Sequence, residues 1–120
     1  KDAVATANAM LAGGVDVMEI TFRTAAAPDA IRAVSENCPD MLVGAGTVTS
    51  VELVEMAAAA GAKYIISPDC DLDVIRRTRE LGLVSMPIGI LAGGLVCGLA
   101  LKTLLWHCLP VFLVSAVLFV

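Results

Sequence analysis

Four short apolar runs, at residues 17–22, 41–48, 64–67 and 83–86, recur at roughly the length of one short βα unit. Amphipathic, often Ala-rich stretches at 2–12, 28–37, 51–60 and 72–81 fill the intervals. The alternation predicts the order α-β-α-β-α-β-α-β. Links this short, each containing a helix, leave only parallel pairing, in an open α/β sheet or a barrel.

The residues between the runs support those helices. Gly13-Gly14 is placed to end the first, and Pro28 stands where an N1 proline would start the second. Thr49 with Glu52 three residues later has the spacing of a capping box for the third. The fourth carries Asp71 and Asp73 at its start and Arg76, Arg77 and Arg79 nearer its end, which suits the helix dipole, and Gly82 closes it. The three arginines are expected to form a solvated face.

The chain has 120 residues. That suffices for one small domain but not for a complete (β/α)8 barrel of about 250 residues. The expected fold class is therefore α/β, a partial (β/α)8 (TIM) barrel of about four βα units. Net charge is −4 with no basic cluster, so nucleic acid is not an expected partner. Cys38, Cys70, Cys97 and Cys108 form no CxxC pair and have only His107 to assist them, which predicts reduced thiols and no metal site. The chain begins at Lys1 rather than Met, which suggests an incomplete N terminus, and no signal peptide is visible.

Charge divides the chain sharply. Lys102 is the only charged residue after Pro87, and every Asp and Glu lies before it. The expected organisation is a barrel segment over 1–87 and a hydrophobic tail over 88–120.

In the first apolar run Glu19, Thr21 and Arg23 alternate with Met18, Ile20 and Phe22. Successive strand side chains point to opposite faces, so the three polar groups are expected to share one face, inside a barrel. A carboxylate, a hydroxyl and a guanidinium are costly to bury together unless they serve one another or a ligand. Glu19 is the candidate for proton transfer. Arg23 can hold a carboxylate through two parallel hydrogen bonds. Ligands of parallel α/β folds gather at the carboxyl ends of strands, where Arg23, Thr47 and Pro68 fall. Gly44 and Gly46 would let a substrate approach the backbone, and Thr47 offers a hydroxyl to an anion. A structural ion pair between Glu19 and Arg23 is the plainer alternative.

Taken in order, Gly13-Gly-Val15, Glu19-Ile-Thr-Phe-Arg-Thr24, Gly44-Ala-Gly-Thr-Val48, Ile66-Ser-Pro68 and Met86-Pro87 resemble the 2-keto-3-deoxy-6-phosphogluconate aldolase family, from Asp2 to Pro87. Its members often also cleave 4-hydroxy-2-oxoglutarate. The resemblance implies a class I, Schiff-base aldolase on a (β/α)8 barrel, usually homotrimeric and cytoplasmic, acting on a small 2-keto acid without a cofactor. Carried over by position, Glu19 matches the acid/base, Arg23 and Thr47 the groups that hold the pyruvate carboxylate, and Pro68 a pocket wall. The family's lysine precedes Phe-Pro, and no Lys-x-Phe-Pro occurs here; Lys102, followed by Thr103-Leu-Leu, is the candidate for the Schiff base.

Three readings of residues 88–120 stay open. A frameshift or misjoined gene would explain why charge and family pattern end together. Membrane insertion would suit the stretch 103–120, with Gly94-x-x-x-Gly98 as a helix-packing motif. The tail could instead complete the core of a rearranged α/β domain. The alternative to an active aldolase is a catalytically inactive or membrane-associated remnant of the family.

Overall fold

The computed structural model describes residues 2–89. Four helices and four strands alternate: α1 (Asp2–Ala12), β1 (Val17–Thr21), α2 (Ala27–Asn37), β2 (Leu42–Gly46), α3 (Val51–Ala59), β3 (Tyr64–Ser67), α4 (Leu72–Glu80) and β4 (Val84–Pro87). The strands pair in parallel in the order β1-β2-β3-β4. Each strand is added on the same side as the last. That progression, with residues of all four helices packed in one cluster against one face of the sheet, is the arrangement of an arc of a (β/α)8 barrel.

The element ends follow from local chemistry. After α1, Val15 N–H bonds to Met10 O (2.9 Å) and Gly14 N–H to Leu11 O (3.0 Å), with Gly14 at φ +82°. This closure needs a left-handed residue after the helix, which glycine supplies at no steric cost. Gly82, at φ +74°, closes α4 with Leu83 N–H on Thr78 O (3.0 Å). Asp71 caps the start of α4 by accepting from the N–H groups of Asp73 (2.8 Å) and Val74 (3.3 Å).

Several element ends fall one residue from the sequence expectation (β1 at Thr21, α3 at Ala59, α4 at Glu80, and β4 over Val84–Pro87), and three further departures have an evident cause. Helix α3 is capped by Ser50, whose Oγ accepts from Leu53 N–H (3.4 Å), and not by Thr49. Val48 still bonds to strand β3 through Ile66 O (3.2 Å), so the chain stays non-helical past Val48 and the helix starts later. Pro28 is the second residue of α2 rather than the first; either place spares a proline the need for an N–H. Strand β2 stops at Gly46 because Thr47 leaves the extended region, at φ +59°.

The two faces of the sheet have opposite fates. Val43, Ala45 and Ile65 point to the helices and pack with Ile31 and Val34 of α2, Val54 of α3 and Val74 of α4, all at most 1% exposed. Burying each Val or Ile side chain contributes about 1.5–3 kcal/mol. On the other face Val17, Leu42, Val84 and Met86 are 44–61% exposed. This is the inner face of the arc, and it is open among the described residues. Cys38 is buried at the end of α2, with its thiol 3.5 Å from Asn8 Oδ1, while Cys70 is exposed. Arg76 pairs with Asp73, and Arg77 with Glu55 and Glu80, on the exposed outer surface as expected. No helix of the described residues is long and apolar enough to cross a membrane. The three readings of the tail 88–120 turn on residues 90–120, which lie outside the described residues.

Candidate active site

Strand register sets out the inner face in rows. Glu19 lies opposite Gly44, and Thr21 opposite Gly46. Ala45 opposite Ile65 then aligns Gly44 with Tyr64, and Tyr64 with Val84. One row therefore reads Glu19, Gly44, Tyr64, Val84, and the next toward the carboxyl ends reads Thr21, Gly46, Ile66, Met86.

The two glycines make room for neighbouring side chains. A Cβ on Gly44 would overlap the ring of Tyr64, and a Cβ on Gly46 would overlap the Glu19 carboxylate at Oε1. The bare backbone is thus covered from within the sheet: by an aromatic ring at Gly44 and a carboxylate at Gly46. A substrate approach at these two glycines, expected from the sequence, is replaced by these contacts.

Tyr64 spans β2 to reach β1. Its Oη donates to Met18 O at 2.9 Å, and the residue is only 8% exposed. Burial pushes the phenol pKa up from its usual value, and the negative charge of Glu19 adds to that rise. Sequence reasoning missed this residue. Its signal was an aromatic ring on a strand adjacent to one carrying two glycines two residues apart.

The other candidates cluster at the carboxyl ends of the strands, with one departure. Glu19 and Thr21 share the inner face as expected. Arg23 does not continue the alternation, because β1 ends at Thr21 and Arg23 N–H turns back to Thr21 O (2.9 Å). The exposed Arg23 lines a surface depression with Phe22, Pro28, Leu53 and Met56. Among the described residues no ion pair joins it to Glu19. Thr47 follows β2 directly, half-buried in its left-handed conformation. Such a backbone is a genuine outlier for a β-branched residue and stores strain of about 1–3 kcal/mol. Pro68 is exposed just after β3, where Ser67 Oγ donates to Asp69 O (3.1 Å) and shapes the turn. Lys102 lies outside the described residues. No group of three or more acidic, His or Cys side chains suited to a metal occurs among the described residues.

The inner face thus carries the Glu19 carboxylate over Gly46, with Thr21 opposite Gly46 and Thr47 directly after it, while Arg23 lies beyond the end of β1 in a depression of its own. Comparison with known proteins gives this arrangement a lineage. The family model described as KDPG and KHG aldolase matches residues 1–103. A 2-dehydro-3-deoxy-phosphogluconate aldolase of Treponema pallidum is 42% identical over 87 residues, 72% of this chain and 41% of that protein. The KHG/KDPG aldolase of Escherichia coli K12 is 41% identical over 88 residues, again 41% of its length. Among solved structures, the KDPG aldolase of Legionella pneumophila, with pyruvate captured as a covalent carbinolamine intermediate, is 34% identical. It superposes with a TM-score of 0.68 over 81% of this chain and 49% of that one. This chain spans about two fifths of the curated relatives it matches. By the family model, which matches most of its length, the chain belongs to the KDPG and KHG aldolase family.

Proposed function

We propose that the chain acts in aldol cleavage of 2-keto-3-deoxy-6-phosphogluconate to pyruvate and glyceraldehyde 3-phosphate, or of 4-hydroxy-2-oxoglutarate to pyruvate and glyoxylate. The observation that carries this reading is the Glu19 carboxylate resting over Gly46, one residue from Thr47, at the carboxyl end of the strands. Lys102, within the stretch matched by the family model, is the proposed amine.

The chemistry divides among these groups. The neutral amine attacks the keto carbon, the carbinolamine hydroxyl takes up a proton and leaves as water, and the resulting iminium serves as an electron sink. Glu19 takes the proton of the substrate's aldol hydroxyl. The adjoining carbon–carbon bond then breaks, its electron pair flows into the enamine, and the aldehyde departs. Glu19 returns the proton to the enamine carbon, and water releases pyruvate from the amine. Arg23 and Thr47 hold the pyruvate carboxylate and keep the reacting carbons aligned, while Pro68 forms a wall.

A cytoplasmic setting, assembly as a trimer and the division into a barrel segment over 1–87 and a hydrophobic tail over 88–120 belong to the same proposal and rest on the family resemblance and the charge pattern. The test is pyruvate release from each substrate by the full chain and by Glu19→Gln. Release that falls at least a hundredfold in the variant supports the reading. Equal release in both, or none from the full chain, contradicts it.

A further inference from the structure

We infer that Tyr64 is a positioning residue for Glu19: its ring fills the space over Gly44 and directs the Glu19 carboxylate toward the carboxyl end of the strands, over Gly46. The register makes Gly44, not Gly46, the direct neighbour of Glu19 on β2. Left alone, the carboxylate could settle over either bare glycine. The position over Gly44 is taken by the Tyr64 ring, which a Cβ there would overlap, and Tyr64 is held by the bond from its Oη to Met18 O, 2.9 Å. Met18 immediately precedes Glu19, so one phenol fixes both the strand segment and the space that its carboxylate can enter.

Barrel interiors fill in layers, with side chains of alternate strands sharing a layer. Glu19 on β1 and Tyr64 on β3 are such a pair, with Gly44 between them. A smaller side chain at 64 would leave a gap that the Glu19 chain could enter, drawing the carboxylate away from the rim. The bearing of this steering on catalysis rests on the proton-transfer role proposed for Glu19. The steering itself is a packing relationship and stands apart from that role.

The test uses the full chain and two readouts. Nuclear Overhauser contacts between the Glu19 side chain and the Gly46 α protons report where the carboxylate sits. These contacts are expected in the wild type and in Tyr64→Phe, which keeps the ring, and are expected to be lost in Tyr64→Ala. Retention of the contacts in a folded Tyr64→Ala variant would overturn the inference. The second readout needs no change at position 64. Tyr64 is the single tyrosine of the chain, so tyrosinate absorbance titrates it alone. Its midpoint is expected to move down in Glu19→Gln, because the neighbouring negative charge is gone; an unmoved midpoint would count against the proximity on which the steering depends. Absent pyruvate release, with the Glu19–Gly46 contacts present in the wild type and lost in Tyr64→Ala, contradicts the aldolase reading and supports the steering.

Discussion

The Glu19 carboxylate lies over the backbone of Gly46, although the strand register places Glu19 opposite Gly44. Any side chain at 46 would occupy the carboxylate's place. Gly46→Ala should displace Glu19 and cost about 1–3 kcal/mol, the usual penalty of overpacking. Denaturant unfolding checks the stability, and pyruvate release should fall with it by more than the lost folded fraction explains.

Gly44→Ala tests the neighbouring contact. Its Cβ would meet the Tyr64 ring, so the ring must tilt and loosen its hydrogen bond to Met18 O. A stability loss of about 1–3 kcal/mol is expected here too. A thermal midpoint unchanged from wild type would show that the ring has room to spare.

Tyr64→Phe removes the hydroxyl and leaves Met18 O without that donor, at a cost of about 1 kcal/mol near neutral pH. The variant also changes the alkaline limb. Burial raises the phenol pKa of the folded chain above its usual 10.0, so between the two values the unfolded state binds fewer protons. Wild-type stability should therefore be insensitive to Tyr64 below that value and fall as pH rises through it. Urea midpoints across the alkaline range should show a shallower decline for Tyr64→Phe.

Thr47 offers a contrast between stability and binding. Thr47→Gly relieves the left-handed strain at φ +59°, and the flexibility it adds to the unfolded chain offsets part of that gain. Stability is expected to hold or rise by up to about 1 kcal/mol. Thr47→Val keeps the branched side chain and the strain. Both variants lose the hydroxyl, and both should raise the KM for the 2-keto acid.

Asp71→Ala removes the cap from two N–H groups at the start of α4 and should cost about 1 kcal/mol, within the range for lost N-caps. The substitution lies on an exposed loop, so a much larger loss in chemical denaturation would point to a role beyond capping.

Much of this was written in local sequence. Period-two and helical patterns located every described strand and helix, and Gly14, Gly82 and Asp71 end or start helices where their chemistry suggests. The displaced cap of α3 depends on a contact from elsewhere, and the Arg23 departure on a local turn that alternation does not encode. Thr47 turns left-handed and Val48 bonds back to Ile66, which shifts the cap of α3 from Thr49 to Ser50. Arg23 leaves the alternation because the chain turns at Thr21. The contact of Tyr64 with Met18 joins residues 46 apart and depends on register across three strands, which no local pattern encodes. Glu19, Thr21 and Thr47 were legible as residue types at strand ends; the use of Gly44 and Gly46 as seats for a ring and a carboxylate was not.

Borohydride reduction of the full chain with pyruvate, followed by peptide mass spectrometry, tests the proposed aldolase chemistry most directly. Hydride converts the iminium to a stable secondary amine that marks the lysine. The expected result is a pyruvate-derived adduct on Lys102, diminished in Arg23→Ala. A chain that carries no adduct on Lys102 under these conditions would contradict the assignment of Schiff-base aldolase activity to this polypeptide.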